Sequence, residues 1–198
     1  RTDTQYTIPS TVTTIGTEAF IGCYDLTSVD LPENLITLDD AAFRGAGLTS
    51  VELPKNVKSV GARVFDGCNL TSVKLNDGLE SIGDYAFDFA AGLTELVIPD
   101  SVTTIGEYAF NFCYNLTSIN IPKKLTEISK GLFANCYDLT SVEIPEGVNV
   151  ISDFIFTRTL YSKVIIPLSV TEIAAGAFNY ARDVETIEFV APETDLAD

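Results

Sequence analysis

The apolar positions of this chain recur in two lanes with a nearly constant spacing. In the first lane an Ile or Leu returns every 22 or 23 residues, and proline follows it in every unit except the one with Asn76. The members of this lane are Ile8, Leu31, Leu53, Leu75, Ile98, Ile121, Ile144 and Ile166. The second lane is a phenylalanine with the same spacing, at Phe20, Phe43, Phe65, Phe87, Phe110, Phe133, Phe156 and Phe178. Self-similarity of this kind predicts a repeat protein of about eight stacked units.

Each unit contains a predicted strand followed by a predicted turn. The unit that begins at Leu26 reads LTSVDLPENLITLDDAAFRGAG. Its opening LTSVDL alternates apolar and polar residues, which is typical of a β-strand with one buried face. Proline then removes a backbone donor and ends the strand. The AF segment places small and aromatic residues on one face, so we expect a short helical or 3₁₀ turn on the outer side.

Units this short cannot bury their own apolar faces, and stacking them builds one continuous core. We therefore predict an α/β-type, strand-rich repeat solenoid with a concave parallel β-sheet and short helical or 3₁₀ turns outside. Residues 1–198 are expected to form a single domain. Its units start near residues 4, 26, 48, 70, 93, 116, 139 and 161, and a partial terminal unit covers residues 184–198.

The pattern LTSVxIPxxVxxIGxxAFxxC resembles the BspA-like, or treponemal-type, leucine-rich repeats, from about Tyr6 to Phe189. The resemblance implies a right-handed leucine-rich-repeat superhelix in a secreted or surface-exposed bacterial protein, associated with adhesion to host proteins or other cells. Ligand specificity in such a family does not lie in its consensus, so no functional residue is carried over. The chain has no Met, so we expect a processed product or a piece of a longer protein.

Charge and composition exclude several classes of function. Acidic residues number 28 and basic residues 12, giving a net charge of −16 that phosphate backbones and anionic lipids would repel. We expect no nucleic-acid partner. No apolar run approaches the ~20 residues of a membrane span, so we expect no direct membrane insertion. Histidine is absent, which removes the usual general base and most catalytic zinc sites. We predict no enzyme activity, no cofactor, no metal site and a monomeric chain.

Candidate ligand-binding residues lie where units depart from the common pattern. Val97 and Ile165 place apolar side chains in the strand lane that should face solvent on the concave sheet. The stretch around Ile165 is the least regular of the chain. Tyr161 stands where other units open with a leucine, such as Leu26, and Lys163 stands in the place of a Ser. Single exposed apolar residues are ordinary in proteins, so an incidental origin and a contact point both remain open.

Two tyrosines are further candidates. Tyr114 and Tyr137 directly follow the Cys position of their units. Tyrosine combines a large contact area with a polar tip and anchors many interfaces. Packing between neighbouring units would explain the same two residues. If one edge of the solenoid binds a partner, these tyrosines are expected to contribute.

The four cysteines occupy one position of the unit, at Cys23, Cys68, Cys113 and Cys136. Other units place Ala or Thr there, which indicates a small buried residue. Only Cys113 and Cys136 lie in adjacent units, so at most that pair could form a disulfide. We expect four buried free thiols.

Together, these features predict a non-catalytic protein-recognition or adhesion module. It would bind a host extracellular or cell-surface protein, or a glycan, through the concave face or an edge. The alternative is a stiff structural spacer that displays another domain. A spacer would show uniform exposed lanes, whereas Val97, Ile165 and the irregular stretch near Tyr161 favour a contact surface.

Overall fold

A computed structural model describes residues 5–181 and 184–191 as a stack of short parallel strands. The described strands, in chain order, are β1 Gln5–Thr7, β2 Thr14–Ile15, β3 Ser28–Asp30, β4 Thr37–Leu38, β5 Ser50–Glu52, β6 Ser59–Val60, β7 Ser72–Lys74, β8 Ser81–Ile82, β9 Glu95–Leu96, β10 Thr104–Ile105, β11 Ser118–Ile119, β12 Glu127–Ile128, β13 Val150–Ile151, β14 Lys163–Pro167, β15 Glu172–Ile173 and β16 Thr186–Val190. This arrangement confirms the predicted strand-rich solenoid of about eight turns.

Most turns contribute two strands, one before and one after the proline of the unit. The first strands of the units are β1, β3, β5, β7, β9, β11, β14 and β16, and we call their exposed surface the strand face. β14 extends through its proline, and the unit of β7 has Asn76 in place of the proline. The strands after the proline form a five-stranded parallel ladder in the order β2-β4-β6-β8-β10 and a three-stranded ladder in the order β12-β13-β15. Equivalent residues pair in register, as with Ser50 opposite Ser72.

The strand face is divided into hydrogen-bonded pairs, whereas the sequence predicts one sheet. Within the described chain, β1 pairs with β3, β5 with β7, β9 with β11 and β14 with β16. Side chains also connect the two members of each pair. These contacts are Thr7 to Asp30, Lys74 to Glu52, Asn120 to the backbone of Ile98, and Lys163 to Glu188. Side-chain contacts therefore reinforce the same pairings that the backbone makes.

The phenylalanine lane forms the centre of the core. From Phe43 to Phe156 these side chains are fully buried, and only Phe20 and Phe178, in the first and last units, are partly buried. The rings of adjacent units from Phe20 to Phe133 stack with centroids 5.0–6.2 Å apart. Buried aromatic rings each remove a large apolar area from water, so this stack contributes strongly to cohesion between units.

The predicted helical or 3₁₀ turns are wrong: the described residues contain no helix, and the outer segments are runs of β-turns. In the first unit, Ala19, Ile21 and Cys23 donate their N–H groups three residues back. The residues between them donate instead to the next unit, with Phe20 N–H bonded to Ala42 O at 2.7 Å. Only every second amide therefore closes a local turn, and a helix cannot form.

Two left-handed residues in each of the first seven units produce this alternation. One lies two positions before the phenylalanine, such as Glu18 at φ 58°, and the other lies two positions after it, such as Gly22 at φ 66°. A positive φ is incompatible with a right-handed helix and costs a non-glycine residue ~1–2 kcal/mol. The inter-unit hydrogen bonds offset that cost in each turn.

Three of the four cysteines follow the prediction. Cys68, Cys113 and Cys136 are buried, and all four cysteines are free thiols. Cys23 is exposed, so the prediction of four buried thiols is wrong for the first unit. The buried thiols donate to carbonyls of the preceding unit, as Cys136 Sγ does to Phe110 O at 3.1 Å. Cys23 belongs to the first unit that the structure describes.

Candidate recognition surface

Four aromatic side chains form a continuous surface along one edge of the solenoid, which we call the aromatic edge: Phe89, Phe112, Tyr114 and Tyr137. Phe89 stacks on Phe112 with ring centroids 4.4 Å apart, and Tyr114 stacks on Tyr137 at 5.3 Å. Phe112 joins the two stacks through a tilted contact with Tyr114 at 5.6 Å. Both predicted tyrosines are therefore brought together with two residues that the sequence analysis missed.

The backbone positions of Phe89 and Phe112 are unusual for aromatic residues. Both have a positive φ, at 57° and 55°, at the position that glycine holds in the first three units. Bulky residues rarely adopt this conformation, although Tyr85 and Tyr108 also adopt it in this chain. Phe89 is nonetheless 44% exposed, so burial does not explain its presence. The sequence signal was the replacement of glycine by phenylalanine in two consecutive units.

The two apolar candidates of the strand face are exposed. Val97 is 79% exposed directly after β9, and Ile165 is 44% exposed in the middle of β14. Lys163, also in β14, forms a 2.8 Å ion pair with Glu188. The aromatic edge comprises residues of the outer turns, so these three residues belong to a different part of the unit.

Tyr161 is not available as a surface contact, because it is 1% exposed and packs in the core. Its ring meets Phe156 edge-on with centroids 5.5 Å apart. Burial raises the pKa of its hydroxyl well above the ordinary value, and this hydroxyl has no hydrogen-bond partner within the described chain. Tyr161 stands at the position of the leucine that opens other units, such as the fully buried Leu139, and this position explains its burial.

A polar row runs beside the aromatic edge, immediately after the phenylalanine lane. Arg44 Nε binds Asp66 Oδ2 at 3.0 Å, and the Asn111 amide donates to Asp88 Oδ1 at 3.0 Å. Burial, and then the charge of Asp66, raise the pKa of Asp88 to about 6. No group of acidic and cysteine side chains in residues 5–181 and 184–191 is arranged to hold a metal ion.

A second aromatic stack stabilises the other side of the outer turns. Tyr85 and Tyr108 stack with centroids 5.2 Å apart, and the Arg63 guanidinium lies 4.2 Å from the Tyr85 ring centroid. A Cβ atom at Gly131 would collide with the Tyr108 ring. Glycine at this position, with φ 61°, therefore leaves room for the stack.

These features define a class of protein: a parallel β-solenoid whose regular core carries irregular exposed side chains. The profile of the family described as BspA type Leucine rich repeat region matches six copies over residues 3–68 and 58–185. The chain belongs to this family. No curated protein sequence matches it.

Solved structures of bacterial proteins share the fold. A leucine-rich repeat protein from Bacteroides ovatus is 28% identical with a TM-score of 0.77, over 94% of this chain and 59% of that one. A leucine rich cell surface protein from Faecalibacterium prausnitzii is 29% identical with a TM-score of 0.62, over 93% and 59%. The leucine-rich repeat protein of T. pallidum is 27% identical with a TM-score of 0.67, over 93% and 79%. This chain thus spans about three fifths of the first two proteins.

The part of the chain that the structure describes includes no helix with the length and apolar character needed to cross a bilayer.

Proposed function

We propose that this chain is a non-catalytic recognition module of a secreted or surface-exposed protein, and that it binds a protein partner through the aromatic edge. The observation that carries the proposal is the pair Phe89 and Phe112, two stacked phenylalanines held at strained backbone positions on the surface. Family membership and the similarity to a leucine rich cell surface protein of Faecalibacterium prausnitzii support the location.

The chemistry of the edge suits a protein surface. Aromatic residues dominate the energetics of many interfaces because they bury a large area with few rotatable bonds. The stacking within the edge fixes the four rings before binding, which reduces the entropy that association would otherwise cost. Tyr114 and Tyr137 add hydroxyl groups that hydrogen-bond to a polar partner, so a glycan is the alternative ligand that the experiment must distinguish.

The strand face offers a second contact region within the same proposal. Val97 is exposed and apolar, and Ile165 lies beside the charged Lys163. An apolar centre with a charged neighbour is a common arrangement of contact residues. A partner that spans more than one face of the solenoid would contact both regions.

The spacer alternative rests on a different observation. The phenylalanine stack continues from Phe20 to Phe133 without interruption. Such packing between every pair of neighbours makes a solenoid stiff along its axis. A spacer function requires no exposed contact residues, so loss of the aromatic edge would leave it intact.

The test is a binding screen of the purified chain against extracellular-matrix proteins, host glycans and bacterial surface polymers at low and high salt. Phe112→Gly and Tyr114→Ala should each weaken a saturable interaction by about tenfold or more, since central aromatic anchors contribute ~2 kcal/mol or more. The matched control is Tyr24→Ala, because Tyr24 holds the same unit position as Tyr114 and is 78% exposed.

Each outcome of the screen distinguishes the candidates. A protein ligand lost in the edge variants and retained in Tyr24→Ala supports the proposal. A ligand unaffected by all three variants places recognition elsewhere, and a hit among glycans alone replaces the protein partner. If no member of the panel binds, the result favours the spacer function.

A further inference from the structure

The polar row beside the aromatic edge is interrupted at one place, between the third and fourth units. Before the interruption, Arg44 Nε and Arg63 Nη1 bind Asp66 Oδ2 at 3.0 and 3.2 Å. After it, the Asn111 side-chain amide donates to Asp88 Oδ1 at 3.0 Å. Among the described residues, no hydrogen bond joins the side chains of Asp66 and Asp88. The row therefore consists of two hydrogen-bonded halves.

Two buried carboxyl groups lie in neighbouring turns at this interruption. Asp66 and Asp88 are 7% and 6% exposed. Gly67 N–H donates to Asp88 O at 2.8 Å, so the backbones of the two turns are joined beside these residues. Ionised carboxylates only accept hydrogen bonds, so neither side chain can donate to the other, and their charges repel. One proton would replace this repulsion with a hydrogen bond.

The surroundings determine which carboxyl group takes up that proton. Asp66 is bound by two guanidinium groups, which favour its ionised form, whereas the side-chain partner of Asp88 is the neutral Asn111 amide. Burial, and then the charge of Asp66, raise the pKa of Asp88 to about 6 in spite of the attraction from Arg63. The proton therefore belongs to Asp88.

Two further titratable side chains face Asp88. They are Tyr85 of the same unit and Cys113 of the fifth unit. Burial raises the pKa of both groups above their ordinary values, so both are uncharged at neutral and acidic pH. Only Asp66 and Arg63 therefore act on Asp88 with a net charge in this pH range.

The charge of Asp88 acts on the aromatic edge through the outer turn of the fourth unit. Phe89 directly follows Asp88, and the N–H groups of Phe87 and Phe89 hold this turn to the fifth unit at 2.8 and 3.0 Å. Local opening of the turn would hydrate the ionised carboxylate, which is costly to bury. The same opening would remove Phe89 from its stack on Phe112. A neutral Asp88 has less to gain from opening.

We propose that Asp66 and Asp88 share one proton under mildly acidic conditions, and that this proton keeps the outer turn of the fourth unit closed and orders the aromatic edge. The carboxylate of Asp88 takes up one proton from solvent, and the resulting O–H donates to Asp66. The inference rests on the proposed function and adds its regulation. The closed turn presents the stacked rings, so its larger population in acid raises the apparent affinity for the partner.

A carbon-13 NMR titration of the aspartate side-chain carboxyl groups in the intact chain follows the proton directly. Asp88 should titrate with a midpoint near pH 6, and the Asp66 signal should shift at the same midpoint. Asp66→Asn should lower the Asp88 midpoint, because it removes the neighbouring negative charge. An Asp88 midpoint near the ordinary 3.8, or an Asp66 signal that does not move with Asp88, would overturn the shared proton.

Hydrogen exchange measures the opening of the turn. The protection factors of the Phe87 and Phe89 amides, corrected for intrinsic exchange rates, should rise about tenfold between pH 7.5 and pH 5 in the wild-type chain, as linkage to a carboxyl group of raised pKa requires. The Phe43 amide, which donates to Val64 O in the second unit, should change less. An equal change at Phe43 would assign the effect to global stability and overturn the local device.

Two isosteric variants identify the carboxyl group responsible. Asp88→Asn carries a side-chain N–H at every pH, so the two amides should be equally protected at pH 7.5 and pH 5. Asp138→Asn is the matched control, because Asp138 is an exposed carboxylate directly after Tyr137 and its loss changes the net charge equally. This control should keep the tenfold change. A pH dependence that persists in Asp88→Asn, or disappears in Asp138→Asn, would contradict the proposal.

Binding of extracellular-matrix proteins at both pH values separates this inference from the proposed function. A matrix protein whose binding Phe112→Gly weakens should bind the wild-type chain about twofold to tenfold more tightly at pH 5 than at pH 7.5. Asp88→Asn should lack that difference. A wild-type affinity independent of pH overturns the regulation and leaves the proposed function intact. If no protein binds at either pH, the proposed function fails, and the titration and exchange results alone decide whether the shared proton stands.

Discussion

Phe112 stacks on Phe89 with 4.4 Å between their ring centroids, and both residues hold the positive φ that glycine holds in the first three units. A bulky residue at such a position costs ~1–2 kcal/mol. An aromatic pair contributes ~0.5–1.5 kcal/mol beyond the area that it buries. The two contributions nearly cancel in folding, so the stacked pair should have little net effect on stability.

This balance predicts different stabilities for two substitutions of Phe112. Phe112→Gly removes both the stacking and the backbone strain, and its free energy of unfolding should change by less than about 1 kcal/mol. Phe112→Ala removes the stacking and keeps the strain, so it should be less stable than the glycine variant by about 1 kcal/mol. Urea unfolding of the two variants checks the order. An alanine variant as stable as the glycine variant would argue against strain at this position.

Removing one ring from the phenylalanine stack should be far more damaging. Phe110 is fully buried between Phe87 and Phe133. Phe110→Ala should lower the free energy of unfolding by roughly 3–5 kcal/mol through lost burial and a cavity. The control is Ile21→Ala, which truncates an exposed apolar residue of an outer turn. Similar small losses in both variants would contradict a core role for the stack.

The rate of thiol labelling should distinguish Cys23 in the first unit from the cysteines of later units. Cys23 is exposed, whereas burial raises the pKa of Cys68 to about 12 and that of Cys113 well above its ordinary value. Since the thiolate is the reactive form, a maleimide reagent should label one cysteine rapidly in the native chain and the other three only in denaturant. Cys23→Ser should abolish the rapid phase. Fast labelling that survives this substitution would show that a buried thiol opens.

The buried carboxyl of Asp88 should make stability depend on pH. Its pKa rises from 3.8 to about 6 on folding, so the folded chain takes up a proton that the unfolded chain does not bind. Asp88 therefore destabilises the fold above about pH 6, and this destabilisation is relieved as the pH falls from about 6 towards 4.

Asp88→Asn should remove this dependence. Asparagine keeps the oxygen that accepts from the Asn111 amide at 3.0 Å. The variant should be more stable than the wild type by roughly 1–3 kcal/mol at pH 7.5, with the difference shrinking towards pH 4. Urea unfolding at both pH values measures it. A difference independent of pH would show that the Asp88 charge is not the cause.

Two glycines provide a matched test of the outer turns. Gly131 has φ 61°, and a Cβ there would collide with the Tyr108 ring, while a Cβ at Gly16 would meet nothing within 4 Å. Gly131→Ala should lose at least ~1–2 kcal/mol of stability, and Gly16→Ala should change it by less than about 1 kcal/mol. Thermal unfolding of the two variants gives the comparison, and an equal effect would remove the assigned role of Gly131.

Sequence periodicity predicted the solenoid because each lane position repeats the same burial requirement in every unit. It did not predict the outer turns, because the left-handed positions before the phenylalanine carry Glu18, Ala41 and Arg63, which have no common preference for positive φ. Hydrogen bonds to the next unit impose that conformation. The conformation of the outer turns is therefore determined by contacts between residues about 22 positions apart and not by local propensity.

The sequence likewise predicted the location of some candidate residues and not of others. Tyr114 and Tyr137 were recognisable from their repeated position, and the structure brings them together in the aromatic edge. Tyr161 was selected because its unit is irregular, but its lane position places it in the core. The absence of a strand at residues 139–144 could not be predicted, because that segment matches the pattern and its lack of pairing depends on neighbouring units.

The alternating hydrogen bonds of the outer turns give the solenoid a direction. In the first unit, Glu18, Phe20 and Gly22 all donate to the following unit, and equivalent residues of later units do the same. The strands after the proline donate in the opposite direction, as Ile36 N–H does to Thr13 O. Aligned peptide dipoles add along a helix, whereas the opposed dipoles of the outer turns and of these strands partly cancel. The direction is therefore a local property of the outer turns, where every unit offers N–H groups to the unit that follows it and carbonyl oxygens to the unit before it.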